Sequence, residues 1–241
     1  MRNYNLGFIS NEIIFNHVKE TVKLYRTKID LKKFNENIID PIKLTFDAKV
    51  YGKSLEDIIE AECIRQIDKT NSNSIGYFHQ NLFRYAGNGW EVPDKGFDVI
   101  NNQRHIYAEL KNKHNTMNAG AANSVYMSMQ NKILHDDKAV CMLVEVIATK
   151  SQDEKWYKNS LSHEKIRRVS IDRFYEIVFS DKQAFFKLCK ALPIILDDVL
   201  EDLEQGRIQN SVYEELRKIS PDIFRSLYLL AFSTYEGFEH F

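Results

Sequence analysis

Gly96-Phe-Asp-Val-Ile-Asn-Asn-Gln-Arg-His-Ile-Tyr-Ala-Glu-Leu-Lys111 decides how this chain folds. Successive side chains of a strand point to opposite faces. Ile106, Ala108 and Leu110 therefore share an apolar face, and Tyr107, Glu109 and Lys111 share the other. Before the turn, Phe97 and Val99 match the apolar face and Asp98 the polar one. Asn101-Asn102-Gln103-Arg104 supplies a tight connection, because Asn tolerates positive φ. The stretch thus reads as a β-hairpin that gathers Asp98, Glu109 and Lys111. Two carboxylates at close range repel unless a cation lies between them. Acids with a lysine are the groups that Mg²⁺-dependent phosphodiester cleavage uses: oxygen ligands for the metal and a cation for the developing phosphate charge. A surface hairpin with a wet acidic face is the plainer explanation of the spacing alone.

The residues that follow weigh against the plainer explanation. Asn112-Lys-His-Asn-Thr-Met-Asn118 holds donors and acceptors and no acid. Such groups contact phosphates and base edges, so Asn112, Lys113, His114, Asn115, Thr116 and Asn118 are candidate DNA contacts.

Composition permits this reading. At 241 residues, with 44% apolar residues, one compact α/β domain over 1–241 is expected. No apolar run approaches the roughly 18 residues of a membrane span, and Met1-Arg-Asn-Tyr-Asn has no apolar core of a signal peptide behind it. Cys63, Cys141 and Cys189 are isolated, set in apolar surroundings and lack zinc spacing, so reduced core thiols in the cytoplasm are expected. A net charge of −1 is unusual for a DNA enzyme, and segregation of charge resolves it. Lys150, Lys155, Lys158, Lys165, Arg167 and Arg168 meet only three acids in their stretch. Asp197, Asp198, Glu201, Asp202 and Glu204 form an acidic block elsewhere. Ordinary solvated faces are the competing explanation for both clusters.

Pro93-Asp94, Gly96-Phe97-Asp98 and Glu109-Leu-Lys111 resemble the PD-(D/E)XK nuclease motif. Asp94 occupies the literal Pro-Asp pair, but Asp98 stands where the strand begins, on the correct face; Asp94 reads as a turn residue. The string from Glu109 to Asn118, with Tyr126-Met-Ser-Met-Gln-Asn-Lys132 behind it, is similar to type II restriction endonucleases that cut GGNCC or GGWCC sites. Val169-Ser-Ile-Asp-Arg-Phe-Tyr-Glu-Ile-Val-Phe-Ser180 and Ala184 to Pro193 resemble the tail of these enzymes. The likeness covers roughly residues 55 to 200.

The resemblance implies a central mixed β-sheet flanked by helices, with further C-terminal helices from about residue 182 and a core over about 55–180. It implies one or two Mg²⁺ held by Asp98, Glu109 and the Leu110 carbonyl, Lys111 at the scissile phosphate, and 5′-phosphate ends. Partners would be double-stranded DNA and, in the same cell, a cognate DNA methyltransferase. A near-palindromic site calls for a protein two-fold, hence a homodimer. Its guanines call for Lys or Arg donors, with Lys113, Arg167 and Arg168 as candidates. A repair or junction nuclease of the same superfamily, or a DNA-binding protein that does not cleave, are the alternatives. A His-Asn-His metal-finger nuclease, suggested by Lys113-His114-Asn115, lacks its partner histidine.

Along the chain, Ser54 caps a helix running to about Lys69. Leu55, Ile59, Cys63 and Gln66 form its apolar side with Glu62 among them. In the superfamily such helices often bring a further carboxylate, which makes Glu62 a candidate ligand; a salt-bridged, partly buried Glu is the alternative. Asn71-Ser-Asn-Ser74 reads as a loop and Ile75–Ala86 as a second helix. A helix from about Ser124 to Leu134 carries Gln130, where relatives often place a glutamine near the active site. Ala139–Ile147 is a continuous apolar run, as a strand covered on both faces would be. Residues 150–166 read as a charged loop with Trp156 and Tyr157 turned toward DNA. Arg167–Ile171 is a short strand, Asp172 a cap, and Pro193, Pro221 and Gly206 mark helix boundaries.

Overall fold

The computed structural model describes residues 2–114, 117–158, 161–203 and 209–233. In chain order the first elements are α1 (Asn11–Lys23), β1 (Lys28–Ile29), α2 (Leu31–Asn35), α3 (Pro41–Tyr51) and α4 (Leu55–Leu82). Then come β2 (Trp90–Glu91), β3 (Val99–Asn101), β4 (Ile106–Lys113), α5 (Ala119–His135) and β5 (Val140–Ile147). The rest are β6 (Asp153–Lys155), β7 (Ile166–Ser170), α6 (Ile171–Phe179), α7 (Ala184–Leu203), β8 (Gln209–Asn210), α8 (Val212–Ile219) and α9 (Ile223–Phe232). No described helix is long and apolar enough to cross a membrane.

These residues form two compact units. The first, residues 2–23 and 75–203, holds a six-stranded mixed sheet in the order β2-β3-β4-β5-β7-β6. Strands β4, β5 and β7 run parallel, and β2, β3 and β6 add antiparallel edges. A parallel neighbour requires a crossover, which α5 supplies between β4 and β5. Both faces of the sheet are covered. Val99, Ile106, Ala108, Leu110, Met142, Val144 and Val169 join one core with residues of α1, α6 and α7. Tyr107, Cys141, Leu143 and Ile166 join a second with Tyr126 and Met129 of α5 and with Trp156. The apolar run of β5 is thus buried from both sides, as its sequence requires.

The second unit, residues 24–74 and 209–233, pairs β1 with β8 in parallel and buries Phe34, Leu44, Ile59, Cys63, Val212 and Leu216. Ser54 caps α4, its Oγ accepting from the Asp57 amide at 3.1 Å. The helix does not stop at Asn71-Ser-Asn-Ser74; the Thr70 and Ser74 hydroxyls are taken up by carbonyls one turn earlier within it.

Several other expectations change. Phe97 does not share Val99's side; its ring lies 5.7 Å from Tyr107 against the second core. Positive φ falls on His105, at 55°, and not on the Asn pair. Asn101 is the last residue of β3 and closes the turn, accepting from the Arg104 amide and donating to the Asn88 carbonyl. Trp156 does not face outward; it is 5% exposed and edge-on to Tyr126, because β6 folds residues 153–155 onto β7. Cys63 and Cys141 are buried but Cys189 is exposed. Pro193 sits inside α7, where Leu188, Ala191, Ile195 and Val199 are buried; burial of that stripe offsets the roughly 3 kcal/mol an interior proline costs. Glu204 and Gly206 lie outside the described residues.

Candidate active site

The parallel strands end on one side of the sheet, and ligands of open α/β sheets collect at carboxyl ends of strands. There the second face changes from apolar to charged. β4 carries Tyr107, then Glu109 and Lys111, on that face; β5 carries Cys141 and Leu143, then Glu145; β7 carries Ile166, then Arg168. Alternation along each strand and the shared register make this one patch.

β3 and β4 pair through Val99↔Ala108, Ile100↔Tyr107 and Asn101↔Ile106. One further step of this register sets Asp98 opposite Glu109. Pairing stops there, and the Leu110 amide donates instead to Asp98 Oδ2 at 2.7 Å. N–H and C=O of a strand residue point the same way, so the Leu110 carbonyl faces the Asp98 edge as well. Gly96, at φ 94°, makes the bend that delivers Asp98, a backbone state that L side chains rarely adopt. Gln80, near the end of α4, donates to the Asp98 carbonyl at 3.3 Å. Asp94 is exposed on the bend before Gly96.

Lys111 Nζ donates to Glu109 Oε1 at 2.7 Å, with the Glu109 side chain 20% exposed. Burial pushes the Asp98 carboxyl above its ordinary value, against the Leu110 hydrogen bond and the Lys111 charge. Burial also raises Glu109, with the Asp98 charge adding to it and Lys111 opposing. Two buried acids, the charge of Asp98 further suppressing ionisation of Glu109, with a backbone carbonyl alongside, make an oxygen-only donor set. Such a set fits Mg²⁺, which needs few protein ligands and keeps several waters. Among the described residues no group of three or more His, Cys, Asp or Glu is disposed to hold a metal, so these residues alone would leave most positions on the ion to water and phosphate.

Other residues singled out in the sequence are placed as follows. Glu62 belongs to the second unit, where Arg65 and Gln66 hold its carboxylate, the salt-bridged arrangement. Asn112 is half-buried at the end of β4, Lys113 exposed. The His114 amide donates to the Ile147 carbonyl at 2.9 Å. Asn115 and Thr116 lie outside the described residues. Asn118 caps α5, its Oδ1 accepting from the Ala121 amide at 2.8 Å. Gln130 is half-buried beside Met129. Arg167 pairs with Asp153 at 2.5 Å, and Arg168 with Glu145 at 2.5 Å. Both guanidinium groups are thus held by carboxylates of the chain itself.

Half of the cations in the expected basic stretch are paired within it: Lys150 meets Glu154 at 3.0 Å, Lys155 meets Glu164, and Arg167 on β7 meets Asp153 on β6. In the acidic block, Asp198 accepts from the Tyr4 hydroxyl at 2.9 Å and Asp202 pairs with Lys19 at 2.5 Å.

Sequence reasoning passed over Glu145, whose side chain is 1% exposed. Arg168 Nε and Nη2 both donate to it, and His114 Nδ1 lies 3.1 Å from its Oε2. Burial alone would raise its carboxyl, but the hydrogen bonds from Arg168 and His114 outweigh burial and hold it below the ordinary value. The signal was present: an acid within a strand buried on both faces must have a partner.

Residues 6–201 match the model of the Eco47II restriction endonuclease family. The chain is 33% identical over 217 residues to the type II restriction enzyme Sau96I of Staphylococcus aureus, covering 83% of each chain. It is 31% identical over 214 residues to the type II restriction enzyme Eco47II of Escherichia coli, covering 82% of this chain and 89% of that one. No solved structure matches it.

Proposed function

Because the chain belongs to the Eco47II restriction endonuclease family and is a type II site-specific deoxyribonuclease, we propose that its catalytic centre is Asp98, Glu109 and Lys111, acting with Mg²⁺. The observation that carries this is the junction of β3 and β4. There the Leu110 amide fixes Asp98 at 2.7 Å, Glu109 stands in register with it, and Lys111 reaches Glu109 at 2.7 Å.

Asp98, Glu109 and the Leu110 carbonyl would hold one or two Mg²⁺. The ion supplies Lewis acidity and positive charge at the scissile phosphate. Lys111, hydrogen-bonded to Glu109, keeps its ammonium at the same place, orients the attacking water and stabilises charge as it grows on the phosphate oxygens. Hydrolysis by in-line attack leaves a 5′-phosphate and a 3′-hydroxyl. Asn112, Lys113, His114 and Asn118, with Asn115 and Thr116 between them and Gln130 on α5, are the groups from which contacts to base edges and phosphates would come. The target is a short near-palindromic duplex site of the GGNCC or GGWCC kind. A homodimer reads such a site, and the host DNA would be protected by a cognate methyltransferase. The expected fold family is PD-(D/E)XK, supported by the mixed sheet and by the placement of Asp98, Glu109 and Lys111 on it.

The test is digestion of phage DNA with Mg²⁺ and sequencing of the ends. Discrete fragments with one common site and 5′-phosphates are expected, and Lys111→Ala should retain site binding while losing cleavage. Normal cutting by Lys111→Ala would refute the assignment.

A further inference from the structure

Lys111 has two carboxylates within reach, and only one of them belongs to the centre proposed above. In the β4–β5 register Lys111 lies directly opposite Glu145, on neighbouring strands about 4.8 Å apart. Both side chains are on the sheet face that carries Glu109. Yet Lys111 Nζ pairs with Glu109, while Glu145 is taken by Arg168 through two donors, Nε at 3.0 Å and Nη2 at 2.5 Å. Arg168 reaches it from the other side, from β7, where it stands in register with Leu143. A carboxylate 1% exposed, stripped of both guanidinium donors and left with His114 alone, would be an under-satisfied acceptor with little water around it. The flexible cation opposite it in register on the same face is Lys111. A four-carbon stem with three rotatable donors can swing from one strand neighbour to the other.

We propose that Arg168 is a positioning residue: by holding Glu145 on the β7 side, it prevents Glu145 from drawing the Lys111 ammonium away from Glu109. This rests on the function proposed above. It accounts for three features of the patch together. A buried acid is present beside a lysine without pairing to it. An arginine in a basic stretch is turned inward, with His114 Nδ1 2.7 Å from its Nη2, instead of outward to DNA. The two ion pairs, Lys111 with Glu109 and Arg168 with Glu145, run side by side across β4, β5 and β7 without exchanging partners.

A double-mutant cycle in the full chain separates positioning from direct DNA contact. Arg168→Gln leaves Glu145 only the single contact to His114 and should lower kcat about tenfold, mid-range for coupled neighbours. KM and duplex affinity measured in EDTA should stay unchanged. Adding Glu145→Gln removes the competing carboxylate, and the double variant should recover cleavage to within about threefold of the unmodified chain. If Arg168→Gln fails to fold, the double variant decides the matter, since it leaves no buried charge behind; its melting temperature confirms folding. A folded double variant that loses duplex affinity overturns the proposal and makes Arg168 a DNA contact, and one that binds but stays inactive overturns it as well. Full cleavage by folded Arg168→Gln alone overturns it too. Lys111→Ala in the same assay judges the underlying centre separately: if it cleaves, that centre is wrong whatever the pair does.

Discussion

The Leu110 amide holds Asp98 Oδ2 at 2.7 Å, so the strand that carries Glu109 and Lys111 also fixes the carboxylate arriving from β3. One short piece of β4 therefore positions both acids and the lysine. A ladder hydrogen bond that β3 no longer provides is replaced by a side chain. The cost is two buried carboxyls, with the charge of Asp98 opposing ionisation of Glu109.

Removing any member of the centre should stop the chemistry without dismantling the fold. Asp98→Asn, Glu109→Gln and Lys111→Ala are each expected to reduce kcat by about 100-fold or more, the scale of losing one electrostatic stabiliser. The check is single-turnover cleavage of a cognate duplex, with binding followed in parallel by fluorescence anisotropy.

Stability should move the opposite way for Asp98. Its carboxyl and that of Glu109 are both raised in the folded chain. Below their unfolded values both are protonated in either state and nothing is lost. As pH rises through the ordinary carboxylate range and past the raised folded values, ionisation costs stability that the unfolded chain does not lose. Asp98→Asn keeps an acceptor for the Leu110 amide and removes a charge. It is expected to melt a few degrees higher than the unmodified chain at pH 7.5 in EDTA, at about 2–4 °C per kcal/mol. Mg²⁺ should raise the melting temperature of the unmodified chain and leave that of Asp98→Asn nearly unmoved. Scanning calorimetry in EDTA and in Mg²⁺ reads both.

His79 gives the sheet unit an acid-sensitive core. Burial pushes its pKa down to about 4, aided by His17, and Nδ1 lies 2.9 Å from the Tyr175 hydroxyl. The unfolded chain takes up a proton near pH 6.5 while the folded one does not. Stability is therefore complete above 6.5 and falls progressively as pH drops toward 4. The loss amounts to about 3 kcal/mol at 1.36 kcal/mol per unit. Urea unfolding of His79→Gln between pH 7 and 4 should show a much flatter pH dependence than the unmodified chain; equal slopes would exclude His79 as the source.

Asn118 has a structural duty that can be separated from DNA contact. Its side chain caps α5, so Asn118→Ala should cost about 1 kcal/mol while Asn118→Asp costs a few tenths at most. If Asn118 also contacts DNA, the Asp variant should bind duplex more weakly despite its restored cap, because a carboxylate repels phosphate. Thermal melts and duplex titrations of the two variants decide between one duty and two.

Legible in the order of residues alone were the hairpin, the placement of Asp98 rather than Asp94 beside Glu109, and the doubly covered strand β5. These follow from period-two alternation and from local charge, which act over a few residues and are visible in any window of the chain. Whether Asn71–Ser74 would break α4 was not legible, since propensity is a weak signal that tertiary context overrides. Nor was the direction in which Trp156 and Arg168 point. Whether a basic or aromatic side chain faces solvent depends on which strand folds over it, and β6 and β7 meet β5 only in the tertiary structure. Glu145 is the sharpest case. Its place in an apolar run announces a buried acid and nothing about its partners. Only the register of β4, β5 and β7 set it opposite Lys111 and gave it Arg168, because neighbours across a sheet are set by strand order and not by distance along the chain.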